Sequence, residues 1–371
     1  MKSVGILASV VVLAATVASC SSSSSSTANG PCKPSGDGTY VDGLYDTLDK
    51  YCMVSVQDGA ITTSETPSAT PTIVEYELNT PLFSDYALKV RTVWMPPGTQ
   101  AQYKDDGVFD FPVGTIFTKS FGFPKDFRDA SSPVTWVETR ILARGKNGWE
   151  ALSYLWDDAQ KTATQKPGGT VRPIDFVDAS GNAQHASYLV PSQNQCPKCH
   201  NDIDVLGPIG PHATELNRDH AYFDGSANQL TKWTALGTLA GAPDPSTAPK
   251  LAPWDDTSAT TEARARSYLD ANCSYCHSEG GEARTTGLFL LASETDQGHL
   301  GICKTPVAAG RATAGLLYDI VPGHPEQSIL VDRMKSTEPS IAMPEIGRSL
   351  VHAEAVSLIQ DWITAMPGGC P

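Results

Sequence analysis

The sequence predicts an α+β multidomain protein. An antiparallel β-rich region, built as a sandwich or partial barrel, is followed by a mainly α region. Three observations predict it. Between residues 73 and 190 apolar and polar residues alternate in runs that suit half-buried strands. After residue 260 the apolar spacing changes to i, i+3, i+4 and i+7, the helical pattern. Gly 31 and Pro 27 among 371 residues imply many turns and modest helix content. The length suits two or three domains.

Taken in order, residues 40–50 read as a short helix and 62–72, TTSETPSATPT, as a Pro/Ser/Thr-rich connection. The stretches 108–123 and 135–156 alternate as strands, and Gly145 to Gly148 forms a hairpin-like turn inside the second. No nucleophile–base arrangement, phosphate-binding glycine loop or metal-spaced cluster appears there, so this region reads as a scaffold. A modest helix with Leu230 and Trp233 is expected over 226–236, and a stronger one over 260–273 with Thr260 or Thr261 near its cap. A short helix follows over 326–334. The last, over 352–366, carries Val356, Ile359, Trp362, Ile363 and Met366 on one face.

The N-terminus sets the compartment. Lys2 precedes an almost wholly apolar run from Val4 to Val17, and Val17-Ala18-Ser19-Cys20 ends it. This is the pattern of a lipoprotein signal peptide at 1–19, with Cys20 lipidated and anchoring the chain to a membrane. The run is too short for a comfortable transmembrane span. The serine-rich stretch 20–39 reads as a tether. The expected location is the periplasmic face of a bacterial membrane, with Ser21 compatible with the outer membrane. A formal charge of −14 argues against nucleic acid and suits protein partners with basic docking surfaces.

Nine cysteines remain to be placed. Cys196-Pro-Lys-Cys199-His200 and Cys273-Ser-Tyr-Cys276-His277 are two CxxCH motifs, of which composition predicts on the order of 0.005 by chance. On one helical face the two thiols and the imidazole meet the same edge of a porphyrin. The thiols add to its vinyl groups and the histidine takes the iron. Two covalently bound heme c groups are therefore expected, in preference to a four-cysteine zinc ribbon, because a histidine follows each pair and the chain is exported. With Cys20 lipidated, four cysteines are left. In an oxidising compartment their neighbourhoods favour Cys32–Cys52 and Cys303–Cys370 disulfides.

Opposite His277, Met343 lies in a loop between Pro339 and Pro344 and is the expected sixth ligand, with Met334 as runner-up. Opposite His200 the choice stays open. His212, His220, Met95, a lysine or a vacant position all remain, with His212 first. No methionine lies between His200 and Cys273, and Pro191 prevents a long helix from leading into the first motif. The first motif, within 191–259, is expected to pack on the β-rich domain at 40–190. The second occupies its own domain at 260–371. His299, His324 and His352 read as surface or loop residues.

Residues 260–367, with YLDANCSYCH, PGHPEQSILVDRM and AMPEIG, resemble a class I cytochrome c domain. Over about 73–367 the chain is similar to a family of bacterial diheme c-type cytochrome lipoproteins, through YELNTPLFSDYALK, the strand region and PSQNQCPKCHN. The resemblance implies covalent heme at Cys196, Cys199, Cys273 and Cys276, proximal His200 and His277, and no defined substrate. The expected function is electron transfer between redox protein partners. The competing class is a diheme peroxidase with an open first heme.

Overall fold

The computed structural model describes residues 44–63, 73–203 and 205–371. The signal segment, the tether, Cys20 and Cys32 lie outside the described residues. A 3-10 turn at Leu48–Tyr51, in place of the helix expected over 40–50, and the hairpin of β1 (Val54–Gln57) and β2 (Ala60–Thr63) lead into an open six-stranded antiparallel sheet. Its order is β3 (Val74–Glu75), β4 (Leu88–Trp94), β6 (Ile116–Pro124), β7 (Val134–Gly145), β8 (Gly148–Trp156) and β9 (Ala163–Gln165). Outside it, the two-residue β5 (Ala101–Gln102) pairs in parallel with Leu239–Ala240.

Period-two alternation sorts the strand residues onto two faces. Val93, Phe117, Leu142 and Ala151 oppose one another across four strands and pack with Phe111, Leu216 and Trp233. Trp94, Ile116, Ile141 and Leu152 point the other way, onto Leu48, Tyr51 and Met53. Each such side chain, fully buried, contributes about 1.5–3 kcal/mol. Both faces being covered, the runs are more continuously apolar than a half-exposed sheet needs. β3 and β9 are the two edge strands and do not pair with each other, so the sheet is not closed into a complete barrel. A hairpin of β10 (Thr170–Val177) and β11 (Ala183–Val190) covers one end, with Phe176 and Tyr188 on Phe121 and Phe123.

The chain after β11 carries helices joined by long loops. They are α1 (Ala213–Leu216), α2 (Gln229–Ala235), α3 (Thr261–Leu269), α4 (Ile329–Lys335) and α5 (Ala353–Ala365). Thr260 caps α3 by accepting from the Ala263 amide at 3.2 Å. The helix expected to reach Cys273 instead widens into a π turn over Asp270–Ser274. α5 buries Val356, Ile359, Trp362 and Ile363 against α3 and α4, and Met366, at its C-terminal end, packs partly buried against the same core. A disulfide joins Cys303 to Cys370, with Cα atoms 5.3 Å apart. Cys52 is also disulfide-bonded, and its expected partner Cys32 lies outside the described residues.

Residues 79–87 seam the sheet to the helices. Asp85, 1% exposed, accepts from the amides of Ser349 and Leu350 at 2.7 and 2.8 Å and from the Ser349 hydroxyl at 3.0 Å. The Phe83 amide donates to Asn272 Oδ1, and its ring stacks on His352 at 4.2 Å. His352, in the loop before α5, also lies 3.1 Å from the Tyr268 hydroxyl, so of the surface or loop places expected it takes the loop, within the seam. His299 and His324 are exposed beside Glu294 and Glu326.

Candidate functional site

The first motif begins where β11 stops. Pro191 ends the strand, Gln195 accepts from the Ser192 amide at 2.9 Å, and a 3-10 turn over Gln193–Lys198 presents Cys196. The His200 amide donates to the Cys196 carbonyl at 3.0 Å, holding imidazole and thiols on one turn. A small hairpin of β12 (Asn201–Asp202) and β13 (Val205–Leu206) then brings Gly207 back over the ring. His200 Nδ1 lies 2.9 Å from the Gly207 carbonyl, which can only accept. That carbonyl fixes the proton on Nδ1 and leaves the Nε2 lone pair for a metal. Burial pushes the ring down to about 4, so it is neutral and able to ligate at neutral pH.

Cys196, Cys199 and His200 line a cavity of about 1040 Å3 walled by β4, β6, β7 and β8, the β12–β13 hairpin and the segment before α1. Of the residues weighed as its second ligand, His212 lines it. Thr214 Oγ1 sits 2.7 Å from His212 Nδ1, and burial lowers that imidazole to about 4. Met95 is 3% exposed in the core under the sheet and is not part of the wall. His220 stands off the cavity too, between Glu75 and Glu77 at 3.9 and 3.8 Å. Burial disfavours its charge, but those two carboxylates outweigh that and raise it to about 9.

At the second motif, the His277 amide donates to the Cys273 carbonyl at 2.9 Å. Cys273, Cys276 and His277 line a narrower slot of about 130 Å3 with Leu288, Leu290, Ile320, Met334 and Met343. Both candidate methionines thus share a wall with the histidine. Met334 is also packed in the helical core, whereas Met343 sits in the loop. Arg348, which sequence reasoning passed over, pins that loop. It donates to the carbonyls of Met343, Ser336 and Leu350 at 2.8, 2.9 and 3.1 Å. Burial lowers His277 to about 4, so this ring too is neutral at neutral pH.

The two motifs, 77 positions apart in sequence, touch. Cys276 Sγ is 3.4 Å from the Lys198 carbonyl, and the Ile203 amide donates to Gly280 at 3.0 Å. Tyr275 and Ile346 line both cavities, and the Tyr275 hydroxyl sits beside the Cys199 thiol. Nothing in the spacing signalled this, because the contact joins residues 77 or more positions apart and has no local pattern.

These residues fit covalently attached heme. The four motif cysteines are unpaired, each pair faces its own cavity, and each cavity holds a neutral imidazole. The first cavity matches the upper range of small-molecule sites. The second is much narrower, and Cys273, Cys276 and His277 with Met343 would hold a group at its wall. No family model, curated protein or solved structure matches the chain. Among the described residues no helix is long and apolar enough to cross a membrane.

Proposed function

We propose that the chain is a diheme c-type cytochrome that transfers electrons between protein partners at the periplasmic or outer-membrane surface. The reading includes membership of the bacterial diheme lipoprotein family, a class I cytochrome c-like C-terminal region, and a lipid anchor at Cys20. One observation carries it: two CxxCH motifs meet across Tyr275, each with a histidine that is neutral at neutral pH.

Bound heme would supply one-electron iron chemistry, with potentials set by axial ligands and burial. The chain's residues do the rest. Cys196 and Cys199 anchor one group and Cys273 and Cys276 the other, with His200 and His277 as proximal ligands. Gly207 holds the His200 tautomer. His212 is the candidate sixth ligand at the first site and Met343 at the second, since each shares a cavity with its histidine. Tyr275 and Ile346 keep the two sites a side chain apart, which suits electron hopping. The acidic surface favours basic partners.

The test is a hemochrome count with a ferric spectrum on the exported protein. Two hemes per chain, both low-spin and without peroxide turnover, are expected. Absence of covalent heme overturns the reading, and peroxide turnover with a high-spin first heme replaces it with a diheme peroxidase.

A further inference from the structure

The face of the sheet toward the first cavity carries a row of cations. Arg91 pairs with Lys119 across β4 and β6, and Lys119 with Arg140 across β6 and β7. Ser153 ends the row on β8. Arg91, Lys119, Arg140 and Ser153 all line the cavity. Directly opposed like charges on neighbouring strands are destabilising, and here two such pairs are consecutive. Lys89 lies one step along β4 on the same face, with its ammonium 6.0 Å from the centre of the Phe121 ring.

Burial, then Arg91, Lys89 and Arg140, push the Lys119 ammonium well below its ordinary pKa, and the pairing within the chain is incomplete. Glu138, fully buried, pairs with Arg140 at 2.6 Å and also accepts from the Tyr188 hydroxyl at 2.7 Å. The Phe121 ring lies under Arg140 and Lys119 at 4.3 and 5.0 Å and softens their repulsion. Neither Arg91 nor Lys119 forms an ion pair among the described residues. Arg91 is 5% exposed, and its Nη2 is buried without a partner. Glu215, on the facing wall, accepts from the Thr80 amide at 2.8 Å through Oε2, and its Oε1 is buried without a hydrogen-bond partner and forms no ion pair with Arg91. In a chain of net charge −14, cations gathered on an interior wall run against the overall balance.

We propose that the Arg91–Lys119–Arg140 row is an oxyanion-binding site in the first cavity. Two parallel N–H donors of Arg91 and the Lys119 ammonium suit a planar carboxylate or a small tetrahedral oxyanion. The anion comes either from the carboxylates of the group attached at Cys196 and Cys199, or from a free oxyanion that enters the cavity. The first source rests on the function proposed above, and the second stands without it.

The experiment uses the sign of a stability change in the loaded, full-length protein. Neutralising one cation by Lys119→Met or Arg91→Gln lowers the melting temperature by roughly 5 °C or more if an anion is bound there. If the row is bare, Lys119→Met relieves repulsion and the temperature rises or stays put, which overturns the proposal. Either variant suffices if the other does not fold. Inorganic phosphate, compared with sodium chloride at equal ionic strength, separates the sources. A free-oxyanion site makes the wild type gain stability with phosphate and the variants lose that gain. A carboxylate on the attached group makes the wild type indifferent to phosphate. In a Cys196→Ala/Cys199→Ala background the penalty of Lys119→Met then disappears. A hemochrome count on each sample shows whether heme attachment, the basis of the function reading, stands apart from this result.

Discussion

Cys196–His200 and Cys273–His277 share a spacing, but their walls differ in size and in make-up. The first faces a sheet that presents Arg91, Lys119 and Arg140, inside a cavity of about 1040 Å3. The second faces Leu288, Leu290, Ile320 and two methionines, together with Lys198, Arg333 and the carboxylates of Glu282, Asp319 and Glu345, in a slot of about 130 Å3. Five residues can specify covalent attachment and a proximal ligand, because those need only one turn of chain. The charge and volume around the iron are supplied by strands and loops elsewhere. On the proposed function, a Met343 thioether would raise the second heme's potential relative to bis-histidine ligation, and positive charge near the first would raise that one too, so the two sites would be tuned by different means.

Met343→Ala breaks the comparison most sharply. The second site is expected to lose its low-spin ferric signature altogether and the first to keep its own, as read by absorption or paramagnetic resonance. Intact spectra at both would remove Met343 from the ligand set. Asp85→Ala comes next, because it reaches both sites through the seam. It leaves two buried amides and a hydroxyl unpartnered, so a cost of about 3 kcal/mol in denaturant unfolding is expected. A cost below 1 kcal/mol would mean that the seam contributes little.

The smallest effect sharpens the account of the first site. His220→Asn should leave its spectrum unchanged, because His220 lies off the cavity. Its folded pKa is about 9 against an ordinary value of 6.5, so its clamp between Glu75 and Glu77 is fully present below pH 6.5. That contribution is lost as pH rises through 9. With Glu77 half-exposed, a penalty of about 1–2 kcal/mol at pH 6 that vanishes above pH 9 is expected. A penalty independent of pH would point to packing instead.

Much of the scaffold was legible. Gly145 and Gly148 do bound the β7–β8 turn, α2 does bury Leu230 and Trp233, and α5 lies one residue inside its expected ends. These are local features, written in turn chemistry and periodicity. The cation row was not legible. Arg91, Lys119 and Arg140 sit in three separate strands, and only the register of the sheet makes them neighbours. Charged residues interrupting otherwise apolar strands were the available signal. Asp85 and His352 were missed for the same reason, since a seam between positions 264 apart has no local pattern. Met95 had the look of a ligand beside a proline, yet β4 carries it into the core.

The seam also dictates an order of assembly. Thr80, Leu82 and Ser84 form part of the first cavity's wall, while Asp85, their neighbour, is held by Ser349 and Leu350. Loop closure over such a distance is slow, and it requires residues near the end of the chain to have emerged. A chain ending before Ser349 should accordingly leave residues 79–87 open to protease, which limited digestion would show. The wall of the first cavity is thus held in place by residues 264 and 265 positions further along the chain.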